Sequence, residues 1–159
     1  MITSGEYRDR LSKMRSNIYM NGKLVDRESP RLAGATNIIA KTYDMVHDPE
    51  FKQFEDVLTA TSHLTGRKIN RFNHIHQSAA DLLAKQKMTR ITCHQVGGCI
   101  ARCMGIDSVN ALSITTHLAD QQYGTEYHSR FEAWLRKFQE NDWSACCAPR
   151  WKGCPGRRC

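Results

Sequence analysis

Four helix-start signals punctuate this chain, and each stands before apolar residues at helical spacing. Thr3 and Glu6 have the separation of a capping box, with Tyr7, Leu11 and Met14 following at helical intervals. Asp48-Pro49-Glu50 pairs a capping side chain with a proline in the first turn. Ser78 and Asp81 precede Leu82, Leu83 and Met88, and Asp107 stands before Val109, Leu112, Ile114 and Leu118. The spacings predict helices over 4–15, 33–47, 48–58, 79 into the low 90s, 108–119 and 125–141. The second of these carries Ile38, Ile39, Tyr43 and Val46 on one face, and the last presents Tyr127, Phe131, Leu135 and Phe138.

Strand signals are sparse. Asn21-Gly22 between Ile18-Tyr19-Met20 and Lys23-Leu24-Val25 predicts a small hairpin flap over 18–25, because both residues tolerate the left-handed conformation of a tight turn. The stretch from Thr59 to Ile75, rich in Thr, Ser, Gly and Asn, reads as a long loop. Gly97-Gly98 interrupts the fourth helix, and the helical pattern resumes from Cys99 to Met104. The expected fold is therefore mainly α, with one small β-hairpin.

At 159 residues, 40% apolar and 25% charged, the chain suits one folded domain. No apolar run approaches the roughly 20 residues of a membrane-spanning helix. The first ten residues form no apolar signal segment. The expectation is a soluble, cytoplasmic protein with no membrane partner. The net charge of +7 raises the question of nucleic acid. Yet more than half of that excess comes from Arg150, Lys152, Arg157 and Arg158, in a short tail without an acid. The body mixes both signs, unlike the concentrated basic face of a nucleic-acid binder, so no nucleic-acid partner is expected.

Seven cysteines, an odd number without a secretion signal, do not read as a disulfide framework. Cys99 and Cys103 are four residues apart. On a helix that spacing brings two thiolates to one face, β-carbons about 5–6 Å apart, where they could ligate two irons of one cubane cluster. Free cysteines are also commonly small buried apolar groups, and the residues alone leave both readings open. No adjacent base marks either as a nucleophile. His74 and His76 flank Ile75 and would point to one side of an extended segment, as hydrogen-bonded loop histidines rather than metal ligands. Cys146, Cys147, Cys154 and Cys159 lack the paired spacing of zinc knuckles. Gly-x-Gly-x-x-Gly, Gly-x-Ser-x-Gly and His-Glu-x-x-His are absent.

An ordered series of segments carries a family resemblance. It runs from Ile18-Tyr19-Met20-Asn21-Gly22 through Thr42–Glu50, Lys68–Phe72 and His74–Ser78, then Cys99–Gly105, Tyr123–His128 and Gln139–Asp142. From about Gly5 to Asp142 the chain resembles the N-terminal region of the 4-hydroxyphenylacetate 3-hydroxylase family, and the cysteine pair resembles its 4-hydroxybutyryl-CoA dehydratase branch. The resemblance implies the helical N-terminal domain of an acyl-CoA-dehydrogenase-like fold. It implies that Cys99 and Cys103 are two of four ligands of a [4Fe–4S] cluster, the others being a histidine and a cysteine far downstream. It also implies FAD, an acyl-CoA substrate, and a radical dehydration of 4-hydroxybutyryl-CoA to crotonyl-CoA with vinylacetyl-CoA isomerisation. The family carries glutamine where this sequence has Ala101, so a polar contact near substrate is expected to be missing.

The composition changes after Asp142. Residues 143–159 hold four cysteines, four cations and no acid, without helical or strand periodicity. The division expected is a family domain over 1–142 and an atypical Cys/Arg-rich, disordered tail over 143–159. That tail would arise from out-of-frame read-through or an equivalent truncation, with a small metal knuckle as the alternative. The chain is thus expected to be an N-terminal enzyme fragment, inactive and unable to hold FAD or the cluster stably alone. Its expected partners are further copies of itself or a separately encoded remainder. The competing expectations are a fragment of a flavin-dependent 4-hydroxyphenylacetate 3-monooxygenase and a stand-alone helical interaction domain.

Overall fold

The computed structural model describes residues 1–102 and 107–145. Helix α1 (Ser4–Ser12) begins at the capping box: the Thr3 hydroxyl accepts from the Glu6 amide at 3.3 Å, and the Glu6 carboxylate accepts from the Thr3 amide at 2.8 Å. A cap of this kind contributes about 1 kcal/mol. Tyr7 on α1 meets Tyr43 on α2 (Ala33–Asp44) with ring centroids 5.2 Å apart. Between these helices, β1 (Ile18–Met20) and β2 (Lys23–Val25) pair antiparallel around Asn21 and Gly22, both at positive φ. Val25 is the buried residue of the flap, while Tyr19 and Leu24 face solvent. Arg27 ties its base to the Arg15 carbonyl and the Asn17 side chain.

Asp48 caps the next segment through the Glu50 amide, but Pro49–Phe54 winds as a 3-10 helix before one α turn, α3 (Glu55–Leu58). The region read as a loop is ordered differently. β3 (Thr59–Thr61) and β4 (Lys68–Asn70) form a second antiparallel hairpin. Its connection is held by Ser62, whose amide donates to the Arg67 carbonyl and whose hydroxyl accepts from Leu64 and Thr65. Three-residue strands are too short to register as alternation. The stretch that follows buries polar side chains among apolar ones: Asn70, Arg71, Asn73 and His74 are all buried beside Phe72 and Ile75.

Helix α4 (Ala79–Val96) is capped by Ser78 and ends at Gly97, left-handed at φ 72°. The helix expected to resume at Cys99 does not form over 99–102. Gly98 (φ 104°) and Ala101 (φ 50°) also lie at positive φ, which an α-helix cannot continue through. Residues 107–108 wind as a π turn into helix α5 (Val109–Tyr123), and Ser108 makes no side-chain cap. A left-handed Gly124 turns the chain into α6 (Tyr127–Glu140), which packs along α5. Asp120 caps α6 from the end of α5, accepting from Thr125 Oγ1 and the amides of Tyr127 and His128.

Three apolar clusters hold these elements. One gathers Met45, Phe51, Val57, Leu58, Phe72, Met88 and Ile100; a second joins Ile75 and Val109 to Phe131, Leu135 and Phe138 of α6; the third joins Ile2, Tyr7, Ala40 and Tyr43. Tyr127, expected on the packed face of α6, is exposed, as are Leu112, Ile114 and Leu118 of α5. The apolar spacing of α5 therefore marks a face that only Val109 buries within the described residues. Ala145 packs against the second cluster, so the segment beyond Asp142 does not begin as an extension touching nothing. The remainder of that segment, with Cys146, Cys147, Cys154 and Cys159, lies outside the described residues.

Candidate functional site

The cysteine motif follows directly from the glycine stop of α4. Cys93, in the last turn, donates its thiol to the Gly98 carbonyl at 3.1 Å. Cys99 is a free, exposed thiol. It sits on irregular backbone, so the expected shared helical face with Cys103 fails at this residue; Cys103 itself lies outside the described residues. Ile100 is buried in the first apolar cluster. An exposed thiol on a segment whose neighbour is pinned in the core suits a metal ligand that completes its set with outside donors, and it departs from the buried apolar cysteine also open from the sequence. Among the described residues no three His, Cys, Asp or Glu side chains converge as a self-contained metal site.

Arg102 was not singled out by sequence reasoning, and it is the most constrained residue of the motif. It is 2% exposed, with its guanidinium 4.3 Å from the Tyr43 ring centroid and 4.7 Å from that of Phe72. Its Nη1 reaches Thr42 Oγ1 at 3.3 Å, and Nη2 reaches Asn73 Oδ1 at 3.4 Å and Asp142 Oδ1 at 3.3 Å. A planar guanidinium between two aromatic faces, forked towards oxygen acceptors, is an arrangement lysine cannot reproduce. Asp142, also 2% exposed, accepts in addition from Asn73 Nδ2 at 2.9 Å and from the Ile2 amide at 3.3 Å, while its carbonyl accepts from Tyr43 at 2.8 Å. Burial raises the Tyr43 hydroxyl above the usual tyrosine value, with Arg102 opposing that rise. This clamp joins the N-terminus, α2, the segment after β4, the cysteine motif and the end of α6.

A second buried polar cluster surrounds the start of α4. Arg71 donates to the carbonyls of Val57 and Asp56 and approaches Asp81 at 3.3 Å. His74 is buried with Nε2 3.3 Å from Asp81 Oδ1, yet neither of its ring nitrogens has a hydrogen-bond partner, nor does Nε2 of His76. Both ring nitrogens of His74, and Nε2 of His76, thus lack the hydrogen bonds expected of them among the described residues. Burial pushes both imidazoles below the usual histidine value. Burial alone would raise Asp81, but the Gln77 amide, the His74 imidazole beside it and the Ser78 hydroxyl bring it down to about 2.

Lys85, 1% exposed, sits on the inner face of α4 with Met88 and Thr92 and donates to the His74 carbonyl at 2.7 Å. Burial, and then the nearby Arg71 charge, pushes its amine down to about 7. An unfolded lysine keeps its proton to about 10.4, so between pH 7 and that value the unfolded chain binds more protons and stability rises with pH. The denaturation midpoint should climb from pH 7 to about 9 in the parent, and the climb should vanish in Lys85→Met. A flat parent profile over that window would contradict the assignment. The lysine was discoverable: with Met88 and Thr92 it marks the i, i+3, i+7 face of a helix, where a cation is out of place.

A groove of about 370 Å³ lies between α2 and the 3-10 turn, lined by Met45, His47, Phe51, Lys52, Glu55 and Leu58. Its charges are internally paired, Glu55 with both Lys52 and Lys68, and no cysteine lines it.

Residues 3–149 match the family model described as 4-hydroxyphenylacetate 3-hydroxylase N terminal. The 4-hydroxybutyryl-CoA dehydratase/vinylacetyl-CoA-Δ-isomerase of Clostridium aminobutyricum is 38% identical over 144 residues, which are 89% of this chain and 29% of that protein. Among solved structures, an oxygen-tolerant archaeal 4-hydroxybutyryl-CoA dehydratase from N. maritimus superposes with a TM-score of 0.81 at 34% identity. That match covers 88% of this chain and 27% of the other. The oxygenase component of 4-hydroxyphenylacetate 3-monooxygenase, solved with FAD and 4-hydroxyphenylacetate, shares the fold at 21% identity and a TM-score of 0.65, over 91% of this chain and 29% of its own. The chain thus spans under a third of the length of the curated relative it matches. It belongs to the 4-hydroxyphenylacetate 3-hydroxylase family and folds as the helical N-terminal region of that family's acyl-CoA-dehydrogenase-like architecture.

Proposed function

We propose that this chain is the N-terminal domain of a 4-hydroxybutyryl-CoA dehydratase, in which Cys99 and Cys103 supply two thiolates to a [4Fe–4S] cluster. The observation that carries the reading is the 38% identity to a dehydratase along 89% of the chain, together with the exposed, free Cys99 at the motif. The monooxygenase likeness, at 21% identity, supports the fold alone. The reaction is the radical dehydration of 4-hydroxybutyryl-CoA to crotonyl-CoA, with vinylacetyl-CoA isomerisation. Bound FAD would supply one-electron chemistry, and a cluster held in part by Cys99 and Cys103 would supply Lewis acidity. This chain's own part would be to offer Cys99 beside the core-anchored Ile100, with Cys103 as the second thiolate in sequence. The remaining ligands and most flavin contacts would belong to the more than two-thirds of the family's length that this sequence does not span. The domain proposed over 1–142 ends on Asp142, whose side chain closes the Arg102 clamp.

The test is anaerobic iron–sulfide reconstitution with and without the matching C-terminal two-thirds of a dehydratase. The isolated chain should lose its iron on desalting. The complemented pair should retain about four irons, the content of the proposed cluster, and should lose them when Cys99→Ser is introduced. Full retention by the complemented Cys99→Ser chain would overturn the ligand assignment, and four irons held by the isolated chain would overturn its dependence on a remainder.

A further inference from the structure

Helix α5 is amphipathic, but its two faces are reversed with respect to the rest of the chain. At about 100° per residue, Val109, Ser113, Thr116 and Asp120 fall on one side of the helix. That side meets α6. Val109 joins the cluster of Phe131, Leu135 and Phe138, Thr116 Oγ1 lies 3.0 Å from His128 Nδ1, and Asp120 caps α6. Apart from Val109 this inner side is polar. Ala111, Ile114, Thr115 and Leu118 fall on the opposite side at i, i+3, i+4 and i+7, the spacing with which a helix ordinarily faces a core. All four are exposed, Ile114 by 62% and Leu118 by 54%, and they join no apolar cluster among the described residues. The helix also lacks the charges that suit a surface to water. Over its 15 residues Asp120 is the one Asp, Glu, Lys or Arg, and it is used to cap α6. The neighbouring α6 is the ordinary case: it buries Phe131, Leu135 and Phe138 and carries Arg130, Glu132, Arg136, Lys137 and Glu140.

We propose that the outer face of α5, centred on Ile114 and Leu118, is the surface on which the remainder of a 4-hydroxybutyryl-CoA dehydratase docks. The inference rests on the dehydratase reading above and adds where this domain meets the part of the enzyme that the sequence does not span. Two observations select this occupant. The archaeal dehydratase superposes on this domain with a TM-score of 0.81 while only 27% of its chain is matched, so most of that protein lies outside the matched fold and has to meet it across some surface. An uncharged stripe one helix wide, with nothing to attract an acidic or basic partner, suits an apolar ridge packed into it as in a domain interior. A second copy of this chain would present the same stripe, but it would bring a net charge of +7 against +7, which opposes pairing.

The test compares this chain with a full-length chimera in which residues 1–142 replace the matching segment of the Clostridium relative. Ile114→Cys and Leu118→Cys are labelled with a maleimide in both, and the sites are resolved by peptide mass spectrometry. Leu24→Cys on the flap, where Leu24 has the same 54% exposure as Leu118, is the reference in the chain alone. There Leu118→Cys and Leu24→Cys should react at similar rates. In the chimera Ile114→Cys and Leu118→Cys should slow about tenfold or more. Unchanged rates overturn the proposal. Iron retention after anaerobic reconstitution separates this result from the dehydratase reading. A chimera that holds about four irons while α5 labels freely sinks the docking surface alone. Protection of α5 in a chimera without iron supports the docking surface and removes the ligand assignment. Sedimentation velocity of the chain alone covers the other occupant: a dimer that Ile114→Glu dissociates assigns the face to a second copy and overturns the proposal. Should the chimera not fold, the chain carrying both Ile114→Glu and Leu118→Glu decides. A stripe left free for a partner takes both charges with its folding equilibrium changed by about twofold or less, whereas a loss of about tenfold shows the stripe packed within this chain and overturns the proposal.

Discussion

Asp142→Ala should cost this domain about 3–5 kcal/mol, the range for removing one partner of a buried ion pair. The carboxylate is 2% exposed and serves three donors: Arg102 Nη2 at 3.3 Å, Asn73 Nδ2 at 2.9 Å and the Ile2 amide at 3.3 Å. Truncation leaves a guanidinium with no counter-charge between two aromatic rings, and leaves an amide of Asn73 and the Ile2 amide without that acceptor. Asp142→Asn separates the contributions. It keeps an oxygen acceptor and a side chain that tolerates the left-handed backbone (φ 48°) while removing the charge, so its cost should be lower, about 1–3 kcal/mol. Urea denaturation of the three chains at neutral pH measures both. In a domain of this size each kcal/mol moves the melting midpoint by about 2–4 °C, so the alanine variant should also melt about 10 °C lower. A loss below 1 kcal/mol for alanine would mean that water already serves the Arg102 side, and the clamp would lose its standing as a closed network.

The consequence for reading this sequence lies at Asp142 itself. The break in composition after it is visible in the sequence, but its role as a tie between distant parts of the fold is not. Asp142 reaches Ile2, 140 residues away, and no spacing rule connects such distant positions. Several helices were legible through local punctuation: Thr3 with Glu6, Asp48 with Pro49, Ser78 with Asp81, and left-handed glycines at 97 and 124. Asn21-Gly22 gave the first hairpin by the same logic. The second hairpin was missed because Thr59–Thr61 and Lys68–Asn70 are three-residue, largely polar strands, too short to show apolar alternation. Cys99 was legible as a candidate ligand, but its setting was not. A four-residue spacing suits a helix, and the run of positive φ at Gly97, Gly98 and Ala101 takes that option away. Arg102 reads in sequence as one more surface cation, and only the convergence of Tyr43, Phe72, Asn73 and Asp142 reveals it as an interior one.

Phe72→Ala should be comparably damaging, about 3–5 kcal/mol, because the ring serves two systems at once. Its side chain is 2% exposed in the apolar cluster with Met45, Phe51, Met88 and Ile100, and its π face lies 4.7 Å from the Arg102 guanidinium carbon. Alanine opens a cavity in the first system and strips one wall from the second. Phe72→Leu distinguishes them, since it restores most of the apolar volume without a π face. Its stability cost should fall below about 1.5 kcal/mol, the bound for swaps that conserve volume. The cation–π contribution, about 0.5–2 kcal/mol depending on desolvation, is then most of what remains. The two variants should also differ in where they loosen the molecule. In Phe72→Ala, amide exchange should quicken along α4, where Met88 loses its neighbour, as well as over 98–102. In Phe72→Leu the effect should be confined to 98–102, because only the clamp has lost a partner. If Phe72→Leu is as costly as Phe72→Ala and loosens the same segments, the ring matters through its shape in the core, and Tyr43 alone supplies the aromatic wall for Arg102.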